Sequence, residues 1–225
     1  MPETTARTVQ TTVHGRYCVR PFIGAPAGLL VGCHGYGQQA DRFASDLEAI
    51  PGVDRWLLVS VQGLHRFYTR AGEVVASWMT SQDRELMIAD NIAYLRAVVA
   101  QVRAEHASVL PPRVPLVFIG FSQGVAMAFR AAADHAGGCD GVVALGGDVP
   151  PDVRAAAASL PPVLLGRGHA EEWYTAERLA GDVEWLRRSG TDLTVCEYDG
   201  GHEWTDAFRQ ATAAFLARLL AGAVR

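Results

Sequence analysis

The feature that most constrains this chain is a repeated alternation of short apolar runs with longer stretches of helical spacing. Runs rich in Val, Leu and Ile recur as "AGLLVGC" from Ala27, "WLLVSV" from Trp56, "PLVFIG" from Pro115, "GVVALGG" from Gly141, "PPVLLG" from Pro161 and "DLTVCEY" from Asp192. Each is too short for a helix, and strands that are apolar on both faces need cover on both sides. Between them, "ELMIADNIAYLRAVVAQV" from Glu85 and "AFRQATAAFLARLL" from Ala207 repeat apolar residues at helical intervals. The alternation predicts an α/β fold: a mostly parallel central sheet with crossover helices on both faces. The first segment differs. In "TVQTTVHGRYCVRPF" polar and apolar residues alternate around His14-Gly15, which predicts an antiparallel hairpin at the N-terminal edge of the sheet.

At 225 residues, 49% of them hydrophobic, the chain is expected to fill one core as a single domain over 1–225. Its net charge of -4 comes from 24 acidic and 20 basic residues, the basic ones all arginine and never in a run, so no nucleic-acid or anionic-membrane surface is expected. The opening "MPETTARTVQTT" lacks the apolar core of a secretion signal. No apolar run approaches the ~18 residues of a membrane span. Stable membrane insertion is therefore not expected, and the expected location is cytoplasmic. Cys18, Cys33, Cys139 and Cys196 lie far apart with no Cys-x-x-Cys pair, which favours reduced thiols over zinc or redox chemistry.

In "PLVFIGFSQGVAMAF", residues 115–129, Ser122 stands in a Gly-x-Ser-x-Gly match. With 23 glycines and eight serines in the chain, chance alone gives roughly one match per twelve such sequences, so context must decide. The match begins at the end of an apolar strand and opens onto a helical pattern, the strand-turn-helix setting of a nucleophile elbow. Side chains at Gly120 or Gly124 would crowd the sharp turn, which lifts the Ser122 hydroxyl above the sheet at a helix N-terminus. The plain alternative is a Gly-rich turn with no chemistry.

A serine hydroxyl needs a base to take its proton. His202 in "DGGHEWTDAF" follows the last strand pattern and precedes the last helix, on a loop at the C-terminal edge of the sheet. His14, His106 and His135 fall at a turn or in exposed helical stretches, and His65 in a long irregular segment. A carboxylate between serine and histidine completes the chain order of an α/β-hydrolase triad. The loop "RGHAEEWYT" offers Glu171 and Glu172 side by side, Asp148 follows the preceding strand, and Asp182 falls inside a helix. For the developing oxyanion, the glycines of "GCHGYGQQA" let backbone approach a substrate closely, so the amides of Tyr36 and Gln123 are the expected donors.

With "HGYG", "GFSQG" and "GGHEW" in this order, the chain resembles the phospholipase/carboxylesterase family of α/β hydrolases, which includes the acyl-protein thioesterases, from about Leu29 to the C-terminus. The resemblance implies Ser122 as nucleophile, His202 as base, and the Tyr36 and Gln123 amides as oxyanion donors. It also marks a departure: where the family usually carries Gly-x-x-Asp, this chain reads "GHAE", placing Glu171 at the acid position. The stretch 62–85, "QGLHRFYTRAGEVVASWMTSQDRE", resembles the family's loop beside the active site. Its Leu64, Phe67, Tyr68, Trp78 and Met79 suit either one wall of an acyl pocket or anchors holding a long loop to the core.

Two rival classes leave the triad residues without a role. "GYGQQA" fits a dinucleotide loop, but the next strand ends in Gln62 where that fold needs an acid for the ribose. A non-catalytic ligand-binding protein on the hydrolase fold would be expected to lack a triad member, and here all three are present. "HEWTD" lacks the second histidine of a zinc hydrolase motif, so no metal and no cofactor is expected. The sequence thus predicts a serine hydrolase acting on a small-molecule ester or thioester through Ser122, His202 and Glu171, as a monomer or a homodimer. Acyl length and leaving group stay open.

Overall fold

The computed structural model describes residues 4–22, 24–111, 113–135, 138–156 and 159–223. Strand β1 (Arg16–Val19) is followed by β2 (Gly28–Cys33), helix α1 (Ala40–Glu48), β3 (Trp56–Gln62), and a short pair, β4 (His65–Tyr68) and β5 (Val74–Ser77). Helix α2 (Arg84–Glu105) leads to β6 (Leu116–Phe121), α3 (Gln123–Asp134), β7 (Gly141–Leu145) and the short α4 (Pro151–Ala155). Strand β8 (Val163–Gly168), α5 (Ala176–Arg188), β9 (Leu193–Tyr198) and α6 (Asp206–Ala223) complete the chain. All six apolar runs of the sequence are strands, and each of β2, β3, β6, β7 and β8 is buried along its whole length.

The seven-stranded sheet has the order β1-β3-β2-β6-β7-β8-β9, parallel throughout except at β1. The N-terminal edge is antiparallel as expected, but not through a hairpin. Residues 4–15 form no strand, and β1 pairs with β3 with Arg16 opposite Gln62 and Val19 opposite Val59. Val9 and Val13 of this segment stay exposed, so the alternation buries no apolar face and does not hold the segment in the sheet.

Alternate strand residues feed two cores. Leu29, Val31, Leu57 and Val59 pack with residues of α2, α3, α4 and α5, whereas Leu30, Leu58, Val117 and Ile119 pack with α1 and α6. Helices therefore cover both faces. The strand order fixes where a site can form. From β2 the chain moves through α1 to β3 on one side, then returns to place β6 on the other side of β2. The connections leaving β2 and β6 turn to opposite faces, which opens a crevice at the carboxyl ends of these strands. Among the described residues no helix is long and apolar enough to cross a membrane.

The stretch 62–85, expected as a loop, contains the β4–β5 hairpin instead. Val74 and Val75 face Tyr68 and Phe67 across the pair, and the hairpin is tied to the β2–α1 loop by the Gly37 amide donating to the Ala76 carbonyl at 2.9 Å and the Ala76 amide to the Gln38 carbonyl at 3.0 Å. A lone two-stranded pair is marginal in water, and these bonds supply the support it needs.

Candidate active site

Ser122 sits between β6 and α3 with φ 53° and ψ -120°. It and Asp83 (φ 48°) are the two non-glycine residues with positive φ among the described residues. Such a conformation costs about 1–3 kcal/mol and persists only where the surroundings impose it. Here the Ser122 amide donates to the Leu145 carbonyl of β7 at 2.9 Å, and the elbow is wedged between backbones. A Cβ on Gly120 would come within 2.6 Å of the Gly124 carbonyl oxygen, and one on Gly124 would overlap the Cys33 carbonyl. The glycines are there because helix and strands touch backbone to backbone.

The loops after β8 and β9 are joined to one another. The His169 amide donates to the Tyr198 carbonyl at 2.8 Å, and the Ala170 amide donates to the Gly200 carbonyl at 2.9 Å. The Tyr198 hydroxyl closes the second loop on the Glu203 carbonyl at 2.8 Å. Glu171 and His202 consequently meet, with Glu171 Oε2 hydrogen-bonded to His202 Nδ1. The other carboxylate oxygen accepts from the amides of Trp173 (2.7 Å) and Tyr174 (3.3 Å), and only 1% of the Glu171 side chain is exposed. An ionised carboxylate with these partners fixes the proton of the imidazole on Nδ1 and leaves Nε2 as the basic nitrogen. The ring is braced 4.7 Å from that of Phe121, the residue before Ser122.

The neighbouring acids are sorted by their surroundings. Glu172 is exposed. Asp182 is fully buried, where it accepts from the Tyr174 hydroxyl at 2.7 Å and the Val149 amide at 3.2 Å and pairs with Arg154. It binds the loops after β7 and β8 to α5 and faces no opening. Burial pushes its carboxyl above the usual carboxylate range.

The β2–α1 loop passes against the elbow, for a Cβ on Gly35 would lie 3.3 Å from Ser122 Cβ. Among the described residues neither the Tyr36 amide nor the Gln123 amide donates a hydrogen bond. Gln123 opens α3, so its amide is one of the free donors at a helix start, available to an oxyanion. Its side chain has a separate task. It accepts from the Trp78 amide at 2.9 Å and donates to the Met79 carbonyl at 3.1 Å, tying the elbow to the segment after β5.

Two residues outside the sequence-based set hold this region. His34, fully buried, donates from Nδ1 to the Gly35 carbonyl (2.7 Å) while Nε2 accepts from the Gly63 amide (3.0 Å), and burial lowers its pKa to about 4. Asn91 of α2 donates to the carbonyls of Trp78 and Met87, both at 2.9 Å. Gln62, where a dinucleotide site needs an acid, instead accepts from the Ala40 amide at the start of α1.

A cleft of about 230 Å³ borders Ser122 and Gln123, lined also by Met79, Arg84, Asp148, Trp173 and Arg178. Of the five residues suggested for an acyl wall, Met79 alone lines it. Trp78 is fully buried and its indole donates to the His34 carbonyl at 2.8 Å, an anchor. Phe67 stacks with Tyr36 at 5.4 Å, Tyr68 is exposed, and Leu64 lines a separate cavity of about 840 Å³ beneath residues 8–13. The Ser122 hydroxyl makes no hydrogen bond among the described residues, and hydroxyl–base bonds in free enzymes often tighten only when substrate is bound. Among these residues no cluster of three or more His, Cys, Asp or Glu could hold a metal ion.

A family model described as phospholipase/carboxylesterase matches residues 18–220. No curated protein matches the sequence. Among solved structures, Zea mays acyl-protein thioesterase 2 is 20% identical, with 92% of this chain and 100% of that chain covered and a TM-score of 0.71. Esterase PE8 is 21% identical over 92% and 100% of the two chains, with a TM-score of 0.72. The Bacillus cereus carboxylesterase is 15% identical over 91% and 94%, with a TM-score of 0.69. At these identities the likeness is one of fold.

Proposed function

The chain belongs to the phospholipase/carboxylesterase family, a family of esterase-type hydrolases with the α/β-hydrolase fold, and from that premise we propose that it cleaves a carboxylic ester or thioester through an acyl-enzyme on Ser122. The observation that carries the proposal is the strained Ser122 at the head of α3, beside the Glu171–His202 pair at the same edge of the sheet. In the proposed cycle His202 Nε2 takes the hydroxyl proton as Ser122 Oγ bonds to the carbonyl carbon. Glu171 holds the opposite nitrogen and balances the imidazolium. The oxyanion is met by the amides of Tyr36 and Gln123, an interaction for which one donor is typically worth about 3 kcal/mol of barrier.

Collapse of that intermediate breaks the bond to the leaving oxygen or sulfur, which departs with the proton held by His202. Water then gives a proton to His202 and its oxygen to the acyl carbon. A second collapse releases the acid and returns the proton to Ser122. In this reading Glu172 is a solvated neighbour, and no metal or cofactor is needed. All four cysteines are free, which supports a reducing compartment such as the cytoplasm.

The test is hydrolysis of p-nitrophenyl esters of increasing acyl length by the wild type and Ser122→Ala, with fluorophosphonate labelling in parallel. We expect turnover and labelling by the wild type only, the substitution lowering kcat by about 10⁴-fold or more. Equal turnover by both proteins would remove Ser122 from the reaction. A folded wild type that is neither labelled nor active on any ester would favour a ligand-binding protein on this fold.

A further inference from the structure

The cleft beside Ser122 is not the apolar slot that a fatty acyl chain would select. At about 230 Å³ it falls below the ~300–1,000 Å³ of ordinary ligand pockets, and its charged lining consists of Arg84 and Arg178 against one acid, Asp148. Arg178 stands 3.9 Å from Asp148, the longest ion pair among the described residues. Arg84 has no ion pair among them at all. Asp152 feels the charge of Arg84, yet it is already gripped by the buried Arg130 through bonds of 2.8 and 2.7 Å. One positive charge at the cleft is therefore left without a partner, in a chain whose net charge is -4.

A second observation concerns the same place. The other strained residue, Asp83, immediately precedes Arg84 and turns the chain into α2. Aspartate tolerates the left-handed region better than most residues, but the conformation still has a cost that must be imposed from outside. Of the two positive-φ residues that carry side chains, Ser122 lines the cleft, and Asp83 directly precedes Arg84, which lines it too. Guanidinium groups favour carboxylate and phosphate because their paired N–H donors match two acceptor oxygens.

We propose that Arg84 and Arg178 bind an anionic group of the substrate, so that the preferred ester or thioester carries a carboxylate or phosphate at the end of a short acyl or leaving group. The assignment rests on the reading of Ser122 given above. Asp148 sits 3.9 Å from Arg178, and the largely exposed Trp173 lines the same cleft.

The experiment compares matched substrates. The p-nitrophenyl esters of hexanoate, adipate and 5-phosphonopentanoate place a methyl, a carboxylate or a phosphonate at the end of the same acyl chain. The butyrate esters of 1-pentanol and 5-hydroxypentanoate place the charge on the leaving side. For at least one anionic member we expect a kcat/KM about tenfold or more above its neutral partner, and this ratio should fall toward one in Arg84→Gln and in Arg178→Gln. The ratio is internal to each variant, so a general loss of activity does not imitate the effect. Which anionic ester leads tells carboxylate from phosphate. Ratios near one in the wild type, or ratios that survive both substitutions, overturn the proposal.

Should no ester be hydrolysed, the catalytic reading fails while the anion site is still measured by titration calorimetry with adipate and with methylphosphonate. Binding by the wild type that weakens about tenfold in either arginine variant supports it. No binding, or equal binding by all three proteins, overturns it.

Discussion

The Glu171–His202 side of the site and the Arg84–Trp173–Arg178 side are held in opposite ways. On the first, a buried carboxylate has a partner on each oxygen, and the two loops that carry the pair are joined by backbone bonds. On the second, Trp173 is 74% exposed and both arginines are solvated. A buried ionised group that loses a partner costs several kcal/mol, whereas an exposed one costs little. The first side therefore resists substitution and the second accepts it. If the proposed roles hold, the reaction type depends on the fold's interior, and selectivity on side chains that can be exchanged without disturbing it.

The largest effect that would break this contrast concerns the two adjacent glutamates. Glu171→Gln keeps the shape of the side chain but removes its charge, so the imidazolium loses its counter-ion and the ring can adopt the wrong tautomer. We expect kcat to fall by about 10³–10⁴-fold, measured on a p-nitrophenyl ester, while Glu172→Gln stays within about twofold. Full turnover by Glu171→Gln with loss in Glu172→Gln would exchange their roles.

A smaller effect comes from the buried support of the Gly35–Tyr36 loop. Burial lowers the His34 pKa to about 4, below its ordinary 6.5, because the charged ring would lose its hydration, a cost that the bond to the Gly35 carbonyl offsets only in part. The folded-state value is depressed, so the contribution of His34 to stability is fully present above 6.5 and is lost as the pH falls toward 4. The expected loss is about 3 kcal/mol, read from urea unfolding at the two ends of that window. His34→Gln should unfold more easily at neutral pH and show a smaller drop across the window. An unchanged drop would assign the acid sensitivity to other groups.

Most of the sheet was legible in the sequence because strands buried on both faces leave continuous apolar runs, as in "WLLVSVQ". The elbow was legible because close backbone contact admits only glycine at positions 120 and 124. The β4–β5 hairpin was not, since "HRFY" and "EVVAS" are short and draw part of their support from the bonds of Ala76 to the Gly37 amide and the Gln38 carbonyl, a contact far away in sequence. The roles of His34, Asn91 and Asp182 were hidden for the same reason: each satisfies backbone groups of loops that only the fold brings within reach. Trp78 read equally as pocket wall or anchor, and its indole bond to the His34 carbonyl decides for the anchor. The N-terminal alternation misled because its apolar residues, Val9 and Val13, stay exposed, and a two-residue period that buries nothing specifies no partner.

Gln123 offers a finer comparison, because one residue joins a proposed chemical role to a structural one. Its amide faces the proposed oxyanion, and its side chain ties α3 to the carbonyl of Met79 and the amide of Trp78. Gln123→Ala keeps the amide but leaves the Trp78 N–H without its acceptor. The expected loss is about 2 kcal/mol of unfolding free energy, in the range for one unsatisfied buried group. A loss below about 0.5 kcal/mol would show that water or a small shift replaces the side chain.

The smallest effect belongs to the exposed side, and it sharpens the comparison most. Trp173 contributes its amide to Glu171 and its ring to the cleft, so Trp173→Ala removes only the second. Since the ring is largely solvated, unfolding free energy should change by no more than about 0.5 kcal/mol, while KM for aromatic esters rises a few-fold and kcat changes less. A large loss of stability would mean that the ring packs more firmly than its 74% exposure allows. A large loss of kcat with unchanged KM would mean that the exposed wall helps to hold Glu171, and that the two sides of the site are not separable after all.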